Sequence, residues 1–119
     1  MNEINRNFAW CDDYSEDSFV GTLHEKQVWS DEEYFKLENY LYETCLKLPS
    51  DFVPREIIWP TMRIYSYLSR TLCSHLDSND GFKIKGLELV NFYDRRERVQ
   101  LVFEGFFKGE MPNKDYLEY

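Results

Sequence analysis

Long apolar runs are missing from this 119-residue chain. None approaches the roughly 18 residues of a membrane span, and Met1-Asn2-Glu3-Ile4-Asn5-Arg6 leads into no apolar stretch, so neither a membrane segment nor a signal peptide is expected. Histidine is scarce, with only His24 and His75, and neither CxxC nor HxxxH spacing occurs. Zinc needs about four convergent ligands, so no metal centre is expected. The five glycines form no GxGxxG or phosphate loop, which leaves nucleotide binding without a motif. Three cysteines, Cys11, Cys45 and Cys73, cannot all pair within one chain. They read as reduced thiols of a cytoplasmic protein that carries no cofactor.

Acids and aromatic rings are what the chain has in quantity. Twenty-two Asp and Glu oppose 14 Lys and Arg, for a net charge of -8, alongside nine Phe, nine Tyr and three Trp. The charge is uneven. Residues 1–43 hold 11 acids and 3 bases, while residues 44–119 hold 11 of each. Such a field repels nucleic acid and anionic membranes and draws in a basic partner. The length suits a single domain over residues 1–119.

Ser30-Asp31-Glu32-Glu33 has the spacing of a capping box. Apolar positions then recur at Tyr34, Leu37, Leu41, Cys45 and Leu48 before Pro49, which predicts a helix over 31–47. A second helix is expected after Pro60, with Met62, Tyr65, Leu68, Leu72 and Leu76 as its inner stripe, Cys73 on its apolar face, and a stop at Ser78-Asn79-Asp80-Gly81. Ser18–His24 reads as a short strand weakened by Gly21. Alternation in 86–93 and again in 98–106, where Val99, Leu101 and Phe103 would share a face, reads as an antiparallel hairpin. Arg95, Arg96 and Arg98 would then sit at a solvated hairpin tip. The tail from Met111 reads as a fraying end. The fold class expected is α+β, two helices packed on a small, mostly antiparallel sheet with a C-terminal β-hairpin.

Four acids crowd the stretch Trp10-Cys11-Asp12-Asp13-Tyr14-Ser15-Glu16-Asp17. As a calcium loop it fails in both registers, because no glycine supplies the sharp turn and no glutamate closes the site. As a catalytic carboxylate pair it lacks an apolar setting to raise one pKa. No catalytic residues are therefore assigned. Trp10, Asp12, Asp13, Tyr14, Glu16 and Asp17 are the candidate partner-binding residues: rings as desolvated anchors, acids to steer and register the partner. The competing interpretation is a solvated acid loop, with Trp10, Phe19 and Trp29 serving as core. A regulator that mimics DNA, binding a DNA-binding protein, and a small enzyme built on Cys11 with a histidine are the alternatives from other classes.

Phe8-Ala9-Trp10, Ser18-Phe19-Val20-Gly21, Trp29-Ser30-Asp31-Glu32-Glu33-Tyr34 and Phe103-Glu104-Gly105-Phe106-Phe107 together give a sequence that resembles bacterial immunity proteins of contact-dependent or polymorphic toxin systems. The resemblance implies a noncatalytic antidote that binds the toxic C-terminal domain of a cognate protein, often a nuclease. Direct contact with nucleic acid or membrane is not expected, given the negative field.

Overall fold

A computed structural model describes residues 2–117. Five helices run in chain order: α1 (Glu3–Arg6), α2 (Phe19–Lys26), α3 (Asp31–Lys47), α4 (Arg55–Leu76) and α5 (Leu89–Lys108), followed by a 3-10 turn at Lys114–Tyr116. No strand forms among the described residues. The extended pairing there is an isolated parallel bridge between Val28 and Lys85. The α+β expectation, with its sheet and C-terminal hairpin, is overturned in favour of an all-helical fold.

Helix α3 forms where the caps predict it. The Ser30 hydroxyl accepts from the Glu33 N–H at 3.2 Å, and Tyr34, Leu37 and Leu41 are fully buried. Helix α2 replaces the expected first strand because its first turn is capped twice. Ser18 Oγ accepts from the Gly21 N–H at 3.0 Å and Asn7 Oδ1 from the Val20 N–H at 2.8 Å. Two amides that a helix start leaves unpaired are thus satisfied, which offsets the poor intrinsic helicity of a segment containing Val and Gly.

Helix α5 replaces the hairpin because Val99 and Phe103, four apart, fit both a period of 2 and a period of 3.6. The neighbours decide. Val102 and Phe106 are buried, whereas Leu101 is 38% exposed. The helix ends at Gly109, whose φ of 81° is the left-handed cap that glycine adopts without strain. Its arginines are not a solvated tip. Arg95 Nη2 pairs with Asp31 at 2.7 Å, and buried Arg98 pairs with buried Glu38.

Helix α4 begins at Arg55, about one and a half turns before its expected start, and carries Pro60 inside. Its buried stripe is Thr61, Ile64, Leu68, Thr71 and Leu72, so Met62 and Leu76 are exposed instead of inward. Cys73 is exposed as well. His75 Nδ1 accepts from the Ile84 N–H at 2.9 Å and the ring stacks on Phe92, which anchors the α4–α5 connection.

Phe19, Trp29, Tyr34, Leu68, Phe92 and Phe103 belong to one continuous core. The C-terminal tail is held on α3 through Tyr42 Oη donating to the Pro112 carbonyl at 2.7 Å and Lys114 donating to Asn39 at 2.8 Å. The fraying expected for residues 118–119 falls outside the described residues.

Candidate functional site

The loop carrying the four acids is not a slack lead-in. Successive turns bond Cys11 N–H to Phe8 O, Tyr14 N–H to Cys11 O and Ser18 N–H to Ser15 O, while Ser15 N–H reaches back to Arg6 O at 3.0 Å. Asn7, buried, ties the near end of the loop to α2. The loop also lies directly on α2 at Gly21. A Cβ there would stand 2.7 Å from the Glu16 backbone and closer still to the Ser15 carbonyl oxygen. Only glycine allows that approach. The sequence signal was Gly21 itself, which reads more simply as a strand breaker.

On this pinned backbone Asp12, Asp13, Glu16 and Asp17 are all exposed, and none forms an ion pair among the described residues. Some other acids of the first third behave differently. Glu3 and Glu33 hold Arg6, Asp31 holds Arg95, and Glu38 holds Arg98. Glu33 is pushed up by burial, but hydrogen bonds from Lys36 and Arg6 outweigh that and hold its carboxyl below the ordinary value. Glu25, Glu32 and Glu43 are likewise exposed and outside the ion pairs among the described residues, so what sets the loop apart is that four such acids fall within six residues of one pinned segment.

The rings divide between core and surface. Phe19 and Trp29 are core, packed edge to face at 4.9 Å. Trp10 is 66% exposed. It packs beside Phe8 at 6.1 Å and Trp59 at 6.0 Å, and the Arg63 guanidinium lies 4.3 Å from the centre of its ring. Trp59 is itself 50% exposed. Tyr14 is half-buried behind the loop; burial raises its phenol pKa, and the charges of Glu25, Tyr67 and Glu16 add to the effect. Exposed rings held rigidly beside charge are the usual anchors of a protein interface.

Trp59, Arg63, Tyr67 and Arg70 were not among the expected site residues. They fall at i, i+4, i+8 and i+11 on α4, one face of a helix that starts before Pro60. The spacing was present in the sequence, but starting the helix after the proline cut Trp59 away from it.

Among the described residues no group of three or more His, Cys, Asp or Glu is placed to hold a metal. His24 is exposed on α2 with its ring edge against Tyr67, and His75 is committed to the Ile84 amide. No helix of the described residues is long and apolar enough to cross a membrane.

The described residues thus form an acidic helical protein with exposed rings and four exposed carboxylates on one hydrogen-bonded loop. Residues 6–110 match the sequence profile of Immunity protein 41, and the chain belongs to that family. Comparison with curated proteins and with solved structures gives no match. Family membership assigns a toxin-neutralising immunity role, binding of a cognate toxin, and a class of protein that is generally noncatalytic.

Proposed function

We propose that the chain neutralises its toxin in the cytoplasm by laying the loop face, with Trp10, Asp12, Asp13, Tyr14, Glu16 and Asp17, across a basic surface of the toxic domain. A surface rich in Lys and Arg is what a nuclease uses to hold phosphates, so a nuclease is the class of toxin this face fits. The observation that carries this reading is the set of four exposed loop acids without an internal partner, on a backbone pinned by Asn7 and Gly21. A preorganised loop loses little conformational freedom on binding, and its field speeds encounter with a positive surface. Covering that surface would exclude substrate without any chemistry by the antidote.

Co-expression with the cognate toxin domain tests the proposal. Protected growth and a stoichiometric complex that weakens as salt rises are expected. Unprotected growth with no complex at low salt would refute it.

A further inference from the structure

Behind the loop runs a groove of about 180 Å³, walled by Phe8, Trp10 and Tyr14 on one side and by Arg63, Tyr67 and Arg70 of α4 on the other. It is smaller than the roughly 300–1,000 Å³ of small-molecule sites, and suits an inserted side chain better than a cofactor. Its charge is opposite to that of the loop. Of the seven arginines, Arg6, Arg95 and Arg98 pair with a carboxylate, whereas Arg63 and Arg70, like Arg55 and Arg96, do not among the described residues; only Arg63 and Arg70 line this aromatic groove. In a chain with 22 acids, two arginines beside an aromatic slot are left without one.

We infer that this groove is a second subsite of the toxin interface, one that takes an aromatic or aliphatic side chain of the toxin lying next to a carboxylate. The inference rests on the immunity reading above and adds to it the chemistry of a second contact. The apolar side chain fills the slot between Trp10 and Tyr67, and the carboxylate meets the two guanidinium groups at its mouth. Arginine is suited to that role because its planar fork can bind a carboxylate through two parallel hydrogen bonds. Trp10 and Tyr14 belong to both the loop face and the groove wall, so the two subsites are continuous. A toxin surface would therefore be read as a basic field with one acidic residue at a fixed distance, a sign pattern that rejects uniformly basic proteins. A second copy of this chain is the poorer occupant, because two chains of net charge -8 repel.

Two measurements test the groove. The first is NMR titration of the free protein with N-acetylphenylalanine and, separately, with its uncharged amide. Saturable shifts at the Trp10 indole, at Tyr67 and at the Arg63 and Arg70 side-chain N–H groups are expected for the acid, with the amide at least roughly fivefold weaker. Equal response to both, or none at these groups, overturns the inference.

The second is affinity for the toxin domain of R63Q/R70Q beside the loop variant D12N/D13N/E16Q/D17N. The groove variant should melt within about 4 °C of wild type, the loss of the Arg63–Trp10 contact included, and bind roughly 30-fold more weakly, mainly through faster dissociation. Charge reversal in R63E/R70E should be rescued by Lys at a single acidic position of the toxin. Wild-type affinity in R63Q/R70Q with loss in the loop variant would sink the groove and leave the loop reading standing. Loss in the groove variant alone would do the reverse. Self-association by sedimentation that R63Q/R70Q abolishes would assign the groove to a second copy and also overturn the inference.

Discussion

Arg98 on α5 and Glu38 on α3 form a buried, two-pronged ion pair, Nε to Oε1 and Nη2 to Oε2, both at 2.8 Å. Arg98 is 7% exposed, and the Tyr34 hydroxyl donates a further bond to Glu38 Oε1 at 3.1 Å. Burying two charges is costly, and the pair is tolerated because every prong is matched. It fixes the register of α5 against α3, and so the side of α5 that faces the core.

Removing one partner should therefore cost far more than removing both. Arg98→Ala or Glu38→Ala is expected to lower stability by about 3–5 kcal/mol, since an uncompensated charge stays buried. Arg98→Met with Glu38→Leu should recover most of that loss. Urea denaturation of the three variants checks it, and an additive double variant would contradict a matched pair.

Acid should weaken the protein partly through Glu33. Its carboxyl is held below the ordinary value in the folded state, so the folded protein binds that proton less readily than the unfolded chain. The contribution is complete above the unfolded carboxyl range and disappears as pH falls through the lowered folded value. Glu33→Gln should thus be less stable than wild type near neutrality, and the two denaturation midpoints should converge in acid. A gap that stays constant with pH would contradict the assignment.

Gly21→Ala inverts the usual rule for a helix interior, where alanine is favoured by about 1 kcal/mol. Here the added methyl would meet the backbone of Ser15 and Glu16. The expected cost is about 1–3 kcal/mol from overpacking, together with faster hydrogen exchange at the Tyr14, Ser15 and Ser18 amides and weaker toxin binding. A more stable protein with unchanged exchange would show that the loop does not depend on this contact.

Trp10→Ala separates binding from folding. The ring is mostly exposed, touching Phe8, Trp59 and Arg63, so folding stability should fall by about 1 kcal/mol or less. Dissociation of the toxin should speed up roughly 30-fold, as expected for an interface anchor worth about 2 kcal/mol. Calorimetry of the free variant and surface-binding kinetics read the two effects separately.

What could be read in the sequence follows from how local each determinant is. Ser30, Glu33 and the stripe from Tyr34 to Leu41 lie within a few turns of one another, and α3 stands where they predict it. The α2 start depends on Asn7, 13 residues from the amide it caps, and no window around Ser18 reveals it. The α5 pattern was ambiguous because Val99 and Phe103 satisfy both periods. Leu101, which sequence placed inward, is the residue the fold turns outward. Of the loop, the exposure of the acids was legible from composition, but its rigidity was not, since it depends on contacts with α2. The α4 arginines were visible individually; their place beside Trp10 needed the tertiary fold.

The most direct test of loop-face recognition is stopped-flow association of the toxin domain with wild type and with D12N/D13N/E16Q/D17N over a range of ionic strength. The wild-type rate should fall steeply with salt. The variant should associate roughly tenfold more slowly at low salt, with a flattened salt dependence and a dissociation rate close to wild type. Equal association rates and equal salt slopes for the two proteins would show that Asp12, Asp13, Glu16 and Asp17 do not face the toxin.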